Sequence, residues 1–361
     1  MLSLVMSDIL RVLILSIFGM VVSPILPAEE IGTVFERWEG RVDPAIEKGL
    51  AYLAEVQKED GSFPENYGDC PGIPSLVGMA FLSKGYLPTE GKYSETLNRV
   101  IDYALSTQDD QGLFDEGHAG SGPMYSHNIT TLFLSEVSGM VDPDRQKKVT
   151  RALGKALALI LRAQAVVKDE RNQGGWRYHP GSRDSDTSCS GWALMALKSA
   201  KLNGAAIPDE SIQAAVDYLL RHQDPKLGCF GYTSTTAHKY SLTGMGLLCL
   251  ELCGMHGTEP TKKAGEFLLR NYRKIENDSH EYYGNYYNAQ AMFQIGGKHW
   301  ESYADWMYET YLKKQNENGS WKSRSAGSVY GTAIMTLAFT VPHRQLPIYQ
   351  RDETVDEELP E

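Results

Sequence analysis

Two aspartates two residues apart, Asp184 and Asp186, sit in the stretch GGWRYHPGSRDSDTSCSGWALMAL, Gly174–Leu197. A carboxyl held neutral by its surroundings can donate a proton, so an Asp-x-Asp pair is a candidate for acid catalysis. Asp186 also stands directly before the apolar run TSCSGWALMAL. Aspartate is among the best helix N-caps, and capping favours the ionised form. The two roles make opposite demands on one carboxyl. Capping, with a place near a binding site, is the expected role of Asp186, and acid catalysis with Asp184 beside it is the alternative. The five cysteines (Cys70, Cys189, Cys229, Cys249 and Cys253) are odd in number and form no C-x-x-C pair. Cys249 and Cys253 lie four apart on an apolar helical run, which reads as core packing rather than a disulfide framework.

The elements that position these groups come from an internal repeat. A Gln, a few polar residues, a Gly and an aromatic recur as QKEDGSF (Gln57–Phe63), QDDQGLF (Gln108–Phe114), QDPKLGCF (Gln223–Phe230) and QNENGSW (Gln315–Trp321). A stretched copy runs from Gln164 to Trp176, and a degenerate one has Asn271 in the Gln place. Before each copy comes a run apolar on one side, such as ESIQAAVDYLLRH. After it comes one rich in small and apolar residues on all sides, such as YSLTGMGLLCLEL, and a helix apolar all round is buried all round. Six such pairs predict two concentric layers, six inner helices shielded by six outer ones. No long strand-type alternation competes.

The pattern Q-x-x-x-G-S-[FW], repeated about every 50 residues in a helical chain, resembles the terpenoid cyclase and protein prenyltransferase superfamily, with its squalene cyclase-like members. The resemblance covers residues 43–341 and implies an all-α fold, the α/α toroid. It also implies that Gln57, Gln108, Gln223 and Gln315 are structural braces. In the similar class II cyclases the middle Asp of a D-x-D-D motif is the acid. Here the match is Asp184-Ser185-Asp186-Thr187, with Thr in the last place. In the similar prenyltransferases an Asp, a Cys two residues later and a distant His bind zinc. Here Ser188 stands in the Cys place, and Cys189 is turned by about 100° on a helix. His238 then lacks a ligand set, so neither a metal nor a cofactor is expected. The thioester domains that share the fold need a Gly-Cys-Gly-Glu-Gln run, whereas the nearest string here is GCFGY (Gly228–Tyr232). Glycan-cleaving toroids need paired carboxylates or a Tyr/His base, and the residue types for that are present.

In a toroid of this kind the connections from outer to inner helices line one mouth of the ring. The residues beginning the inner helices are therefore the candidate binding set: Tyr125, His127, Tyr178, His238, Tyr240, Tyr286 and Tyr330. Tyr67, Asp69, His179, Tyr232, Tyr283 and Tyr287 fall in the same connections. Pockets commonly combine apolar bulk with a few placed polar groups.

The chain has 361 residues and a net charge of −11, which argues against nucleic acid as a partner. Residues 1–28 read as an export signal, or an anchor if uncleaved. Val12–Val22 is apolar and uncharged, Arg11 precedes it, and Pro24, Pro27 and Ala28 follow. The stretch is too short to span a bilayer comfortably. Residues 40–345 form the toroid, and 346–361 are expected to be an extended strap and acidic tail, with Pro342 stopping the last helix and Pro347 keeping the strap open. The functional expectation is an exported binding module for a lipid, glycan or peptide at an aromatic cavity mouth. The alternatives are a cyclase-like isomerase using Asp186 and a glycan-cleaving enzyme.

Overall fold

The computed structural model describes residues 28–64, 70–114 and 122–350. The expected leader (apart from Ala28), the acidic tail, Tyr67 and Asp69 lie outside the described residues. Among the described residues twelve α-helices run in order: α1 Ala28–Val56, α2 Gly72–Ser83, α3 Ser94–Ser106, α4 Met124–Val137, α5 Pro143–Gln164, α6 Thr187–Leu202, α7 Asp209–Arg221, α8 Lys239–Leu252, α9 Glu259–Asn271, α10 Glu281–Ile295, α11 Gly297–Leu312 and α12 Gly327–Phe339. Among the described residues only isolated β-bridges occur, and no helix is long and apolar enough to cross a membrane. No disulfide joins the five cysteines.

The even-numbered helices pack each on the next, and α12 closes back on α2. That is the predicted inner ring. Every residue of α2 is buried, whereas the outer helix α3 buries only its Thr96, Leu97, Val100, Ile101 and Ala104 face. The odd-numbered helices form the outer layer, with α1 packed on α11 and α12 so that the first and last described helices meet. The first helix starts earlier than the predicted toroid. Trp38 explains part of this, since its Nε1 donates to Asp305 Oδ1 on α11 at 2.8 Å.

The repeat is the joint between outer helices. Gln108 Nε2 donates to Gly112 O within its own turn and to Ala152 O on α5, the next outer helix. Gln164 does the same to Gly174 O and Ser211 O, Gln223 to Gly228 O and Pro260 O, and Gln315 to Gly319 O and Ala45 O. Gln57 reaches Thr96 O. The bond from Gln315 to Ala45 links the last outer helix to the first. The degenerate copy breaks the pattern, because Asn271 is too short and its Nδ2 donates back to Phe267 O in its own helix.

The repeat glycine is required twice over. Gly174 has φ +85, and a Cβ there would lie 2.1 Å from Ala214 O. Ala214 is three residues beyond Ser211, one turn above the brace. The aromatic then fills the gap between layers: Phe114, Trp176, Phe230 and Trp321 are buried. Its backbone N–H is received by a side chain one turn into the inner helix: Ser190 for Trp176, Thr243 for Phe230 and Thr332 for Trp321.

The end of the ring opposite the repeats is plugged. The last helix stops at Phe339, as Pro342 predicts, but the strap is not extended. It makes two 3-10 turns, Val341–His343 and Pro347–Tyr349, and tucks in under the ring. Ile348 N donates to buried Glu136 Oε2 at 3.2 Å, and Gln294 Nε2 donates to Tyr349 O at 3.1 Å. The inner-helix carboxyl and amide thus hold the strap against the ring.

Candidate functional site

The described residues enclose a cavity of about 650 Å³ at the mouth, where the six inner helices begin. This size falls in the usual range of ligand pockets, about 300–1,000 Å³. Its polarity is layered. The first turns supply the hydroxyls of Tyr125 and Ser126 from α4, Ser188 from α6, Ser241 from α8 and Tyr282 and Tyr283 from α10, with apolar Ile73 from α2 and Leu242 from α8 among them. One turn deeper the lining is apolar: Leu76, Ile129 and Trp192. Beneath, Tyr286 stacks on Trp192 with ring centroids 6.2 Å apart, and its hydroxyl pairs with that of Tyr349 from the strap. The rim carries Tyr178, Tyr232, His238, His280 and Tyr330. No Asp, Glu, Lys or Arg is among the described lining residues. The six inner helices turn their N-terminal, partially positive ends toward this mouth.

Asp186 lies behind the wall. It is the N-cap of α6, and its Oδ1 accepts Cys189 N–H at 2.8 Å and the Ser188 hydroxyl at 2.7 Å. The sequence-derived cap is therefore present, but its expected consequence is not. Complete burial pushes the Asp186 carboxyl above the usual carboxylate range despite these bonds. Its Oδ2 accepts no hydrogen bond, and Arg177 Nε stands 3.6 Å away. Arg177 is shared. It lies the same distance from Asp184 Oδ2, and its guanidinium covers the Tyr178 ring at 4.6 Å and the Tyr232 ring at 5.4 Å. Ser188 connects this buried group to the cavity, because its hydroxyl also bonds the phenol of Tyr125. The phenols of Tyr178 and Tyr232 bond each other on the same side.

Of the residues picked from sequence, Tyr125, Tyr178, His238 and Tyr330 line the cavity together, as do Tyr232 and Tyr283 from the same connections. The others are placed elsewhere. His127 is fully buried and occupies the structural position held by Ser190, Thr243 and Thr332 in other repeats: its Nδ1 accepts Phe114 N–H at 3.1 Å, and its Nε2 contacts Ala156 O at 3.3 Å. Burial depresses its pKa to about 4. Tyr240 turns outward and stacks on Phe267 of α9, with centroids 6.0 Å apart. Tyr286 is one turn too deep and sits under the floor. Asp184 is an exposed rim group, and Asp186 reaches the cavity only through Ser188. Sequence reasoning missed Trp192, His280 and the wall cation Arg177. His280 meets His238 edge to face across the rim, centroids 5.4 Å apart. Its signal was its place immediately before EYYGNYY, the start of α10. Among the described residues no cluster of three or more His, Cys, Asp or Glu is placed to hold a metal ion.

No family model matches the chain. The squalene–hopene cyclase of Alicyclobacillus acidocaldarius is 30% identical over 132 residues, which is 35% of this chain and 17% of the cyclase's length. Among solved structures, the type II terpene cyclase MstE from Scytonema with its substrate, geranylgeranyl dihydroxybenzoate, superposes with a TM-score of 0.55 at 14% identity. That match covers 85% of this chain and 98% of the cyclase. The same enzyme with its product, merosterolic acid A, gives a TM-score of 0.56, also at 14% identity, over 84% of this chain and 98% of the cyclase. A GH76 α-mannanase from Bacteroides thetaiotaomicron gives 0.53 at 10% identity, over 83% of this chain and 94% of the mannanase. At such identities the likeness is one of fold. With the closed inner ring and the Gln–Gly–aromatic joints, it shows the chain to be a terpenoid cyclase-like α/α toroid.

Proposed function

We propose that the toroid binds an amphiphilic small molecule, with its apolar body against Leu76, Ile129 and Trp192 and its polar end among the hydroxyls of the mouth. The observation that carries this reading is the grading of the cavity: its hydroxyls come from the rim and the first turns of the inner helices, where Ile73 and Leu242 add apolar surface, and one turn deeper only Leu76, Ile129 and Trp192 line it. Burying an apolar body at that depth is favourable by about 25 cal/mol per Å². An oligosaccharide would instead leave hydroxyls facing Leu76 and Ile129 unpaired, at a cost of about 1–3 kcal/mol each. The direct test is calorimetric titration with 1-decanol and with cellohexaose. Decanol should bind with a negative heat-capacity change, and Ile73→Trp, which fills the cavity from α2, should abolish binding without altering thermal unfolding. Binding of the oligosaccharide with no binding of decanol would overturn the reading.

A second reading, proton donation by Asp186, draws on its raised pKa and on an Oδ2 that accepts no hydrogen bond. Against it stands the position of the carboxyl, which is spent on the α6 cap and screened from the cavity by Ser188 and Tyr125. Turnover of a polyprenyl substrate that Asp186→Asn abolishes would favour it. Export also belongs to the proposal: residues 12–28 carry an apolar stretch closed by prolines and a small residue. A native protein beginning near Glu29 and found outside the cytosol would support it, and a chain retained from Met1 in the cytosol would sink it.

A further inference from the structure

From the direction of the hydrogen bonds in the cavity wall we infer that the polar end of the ligand is a neutral hydroxyl group, received by the Tyr125 oxygen. This rests on the amphiphile reading above and adds the chemistry of the head group.

The direction is fixed from the buried end. Asp186 Oδ1 accepts the Cys189 N–H at 2.8 Å, so it is an acceptor whether or not the carboxyl carries a proton, which would sit on Oδ2, the oxygen that accepts no hydrogen bond. The Ser188 hydroxyl at 2.7 Å must therefore donate to Oδ1. Having used its one hydrogen, Ser188 Oγ can only accept from Tyr125. Tyr283, the other phenol beside Ser188, has its own acceptor in Met245 Sδ at 3.6 Å. The Tyr125 phenol has then spent its hydrogen on the wall, and its oxygen offers only lone pairs to a ligand. The neighbouring ring, Tyr178, lies 5.8 Å away by centroids, and its hydroxyl pairs with that of Tyr232. Two phenols sharing one bond use one hydrogen between them and have one left to donate. The wall thus presents an acceptor beside a donor.

A hydroxyl matches both at once. An ether or carboxylate can only accept, and an ammonium group can only donate. The six inner-helix N-termini at the mouth likewise disfavour a cation.

The test is titration of the purified chain with 1-decanol, decyl methyl ether, decanoate and decylammonium. The alcohol should bind about tenfold more tightly than the ether, the size of one hydrogen bond gained plus one acceptor left unpaired. Tyr125→Phe should remove that preference. Ser188→Ala should act in the opposite sense to a simple loss, because it releases the Tyr125 hydrogen into the cavity and lets the ether bind more tightly than it does to the parent. Thermal unfolding of both variants confirms that they fold. Equal binding of alcohol and ether by the parent would overturn the inference and leave the amphiphile reading standing. So would tighter binding of decanoate or decylammonium, or a Ser188→Ala variant with an unchanged alcohol-to-ether ratio. If none of the four probes binds, the amphiphile reading fails and this inference fails with it.

Discussion

Replacing Asp186 separates its roles as cap, charge and acid. In Asp186→Ala the buried Cys189 N–H loses its acceptor, and so does the Ser188 hydroxyl. A lost cap costs about 1 kcal/mol, and an orphaned buried donor about 1–3. Against this, the variant no longer buries a carboxyl, so a net loss of about 1–2 kcal/mol is expected. Asp186→Asn keeps the carbonyl that both donors use and puts an amide where Oδ2 accepted nothing. It loses the contact to Arg177 Nε at 3.6 Å but also the cost of an ionised group in the wall. Near neutrality it should therefore unfold within about 0.5 kcal/mol of the parent, because Asn caps about as well as Asp. The pH dependence has a definite sign. Burial raises the folded pKa above the unfolded value of about 3.9, so between the two the folded chain binds more protons. The parent's stability then falls as pH rises through that window, and Asp186→Asn, which has no proton to lose, gains on the parent over the same range. Urea unfolding of the three proteins from pH 4 to 8 measures this. An Ala variant as stable as the parent, or an Asn variant as unstable as Ala, would refute the reasoning.

Gly174→Ala should cost about 2–5 kcal/mol, since the left-handed φ of +85 and the 2.1 Å approach to Ala214 O both oppose a Cβ. Gly204→Ala, at φ +88 with nothing near, should cost only about 1–2 by the same melting assay. His127→Thr copies the Thr243 and Thr332 repeats and should flatten the acid limb of stability. The parent His127 is held near 4 when folded but titrates near 6.5 unfolded, so stability drains as pH falls across that window by on the order of 3 kcal/mol. Glu136→Gln should behave in the opposite sense. Burial lifts Glu136 from 4.5 to about 7, so the parent loses stability as pH rises through that range and the variant, compared by urea unfolding at pH 5 and pH 8, gains on it.

The ring was legible in the sequence because burial on all sides leaves a composition, and a joint used in every repeat leaves a motif. The site was legible only in part, because position along a helix does not give its rotation or depth. The run EYYGNYYN shows this within one helix: Tyr282 and Tyr283 line the cavity, while Tyr286 and Tyr287 are a turn deeper and lie beneath it. Tyr240 begins an inner helix as Tyr125 does, yet it points to α9, whereas Tyr125 points inward. Trp192 was passed over because it lies a turn past the helix start, where the floor is built. The fate of His127 could have been read from its register: it stands 13 residues after Phe114, as Thr243 stands 13 after Phe230. The raised pKa of Asp186 had no local signal, because it comes from burial in the folded wall.

The most direct test of the central claim is where a ligand sits. A decanol analogue carrying a diazirine near its chain end, photolysed on the intact chain and mapped by peptide mass spectrometry, should label the Leu76, Ile129 and Trp192 segments. Excess 1-decanol should compete the label away. Labelling confined to the outer helices, or undiminished by the competitor, would contradict a ligand site inside the ring.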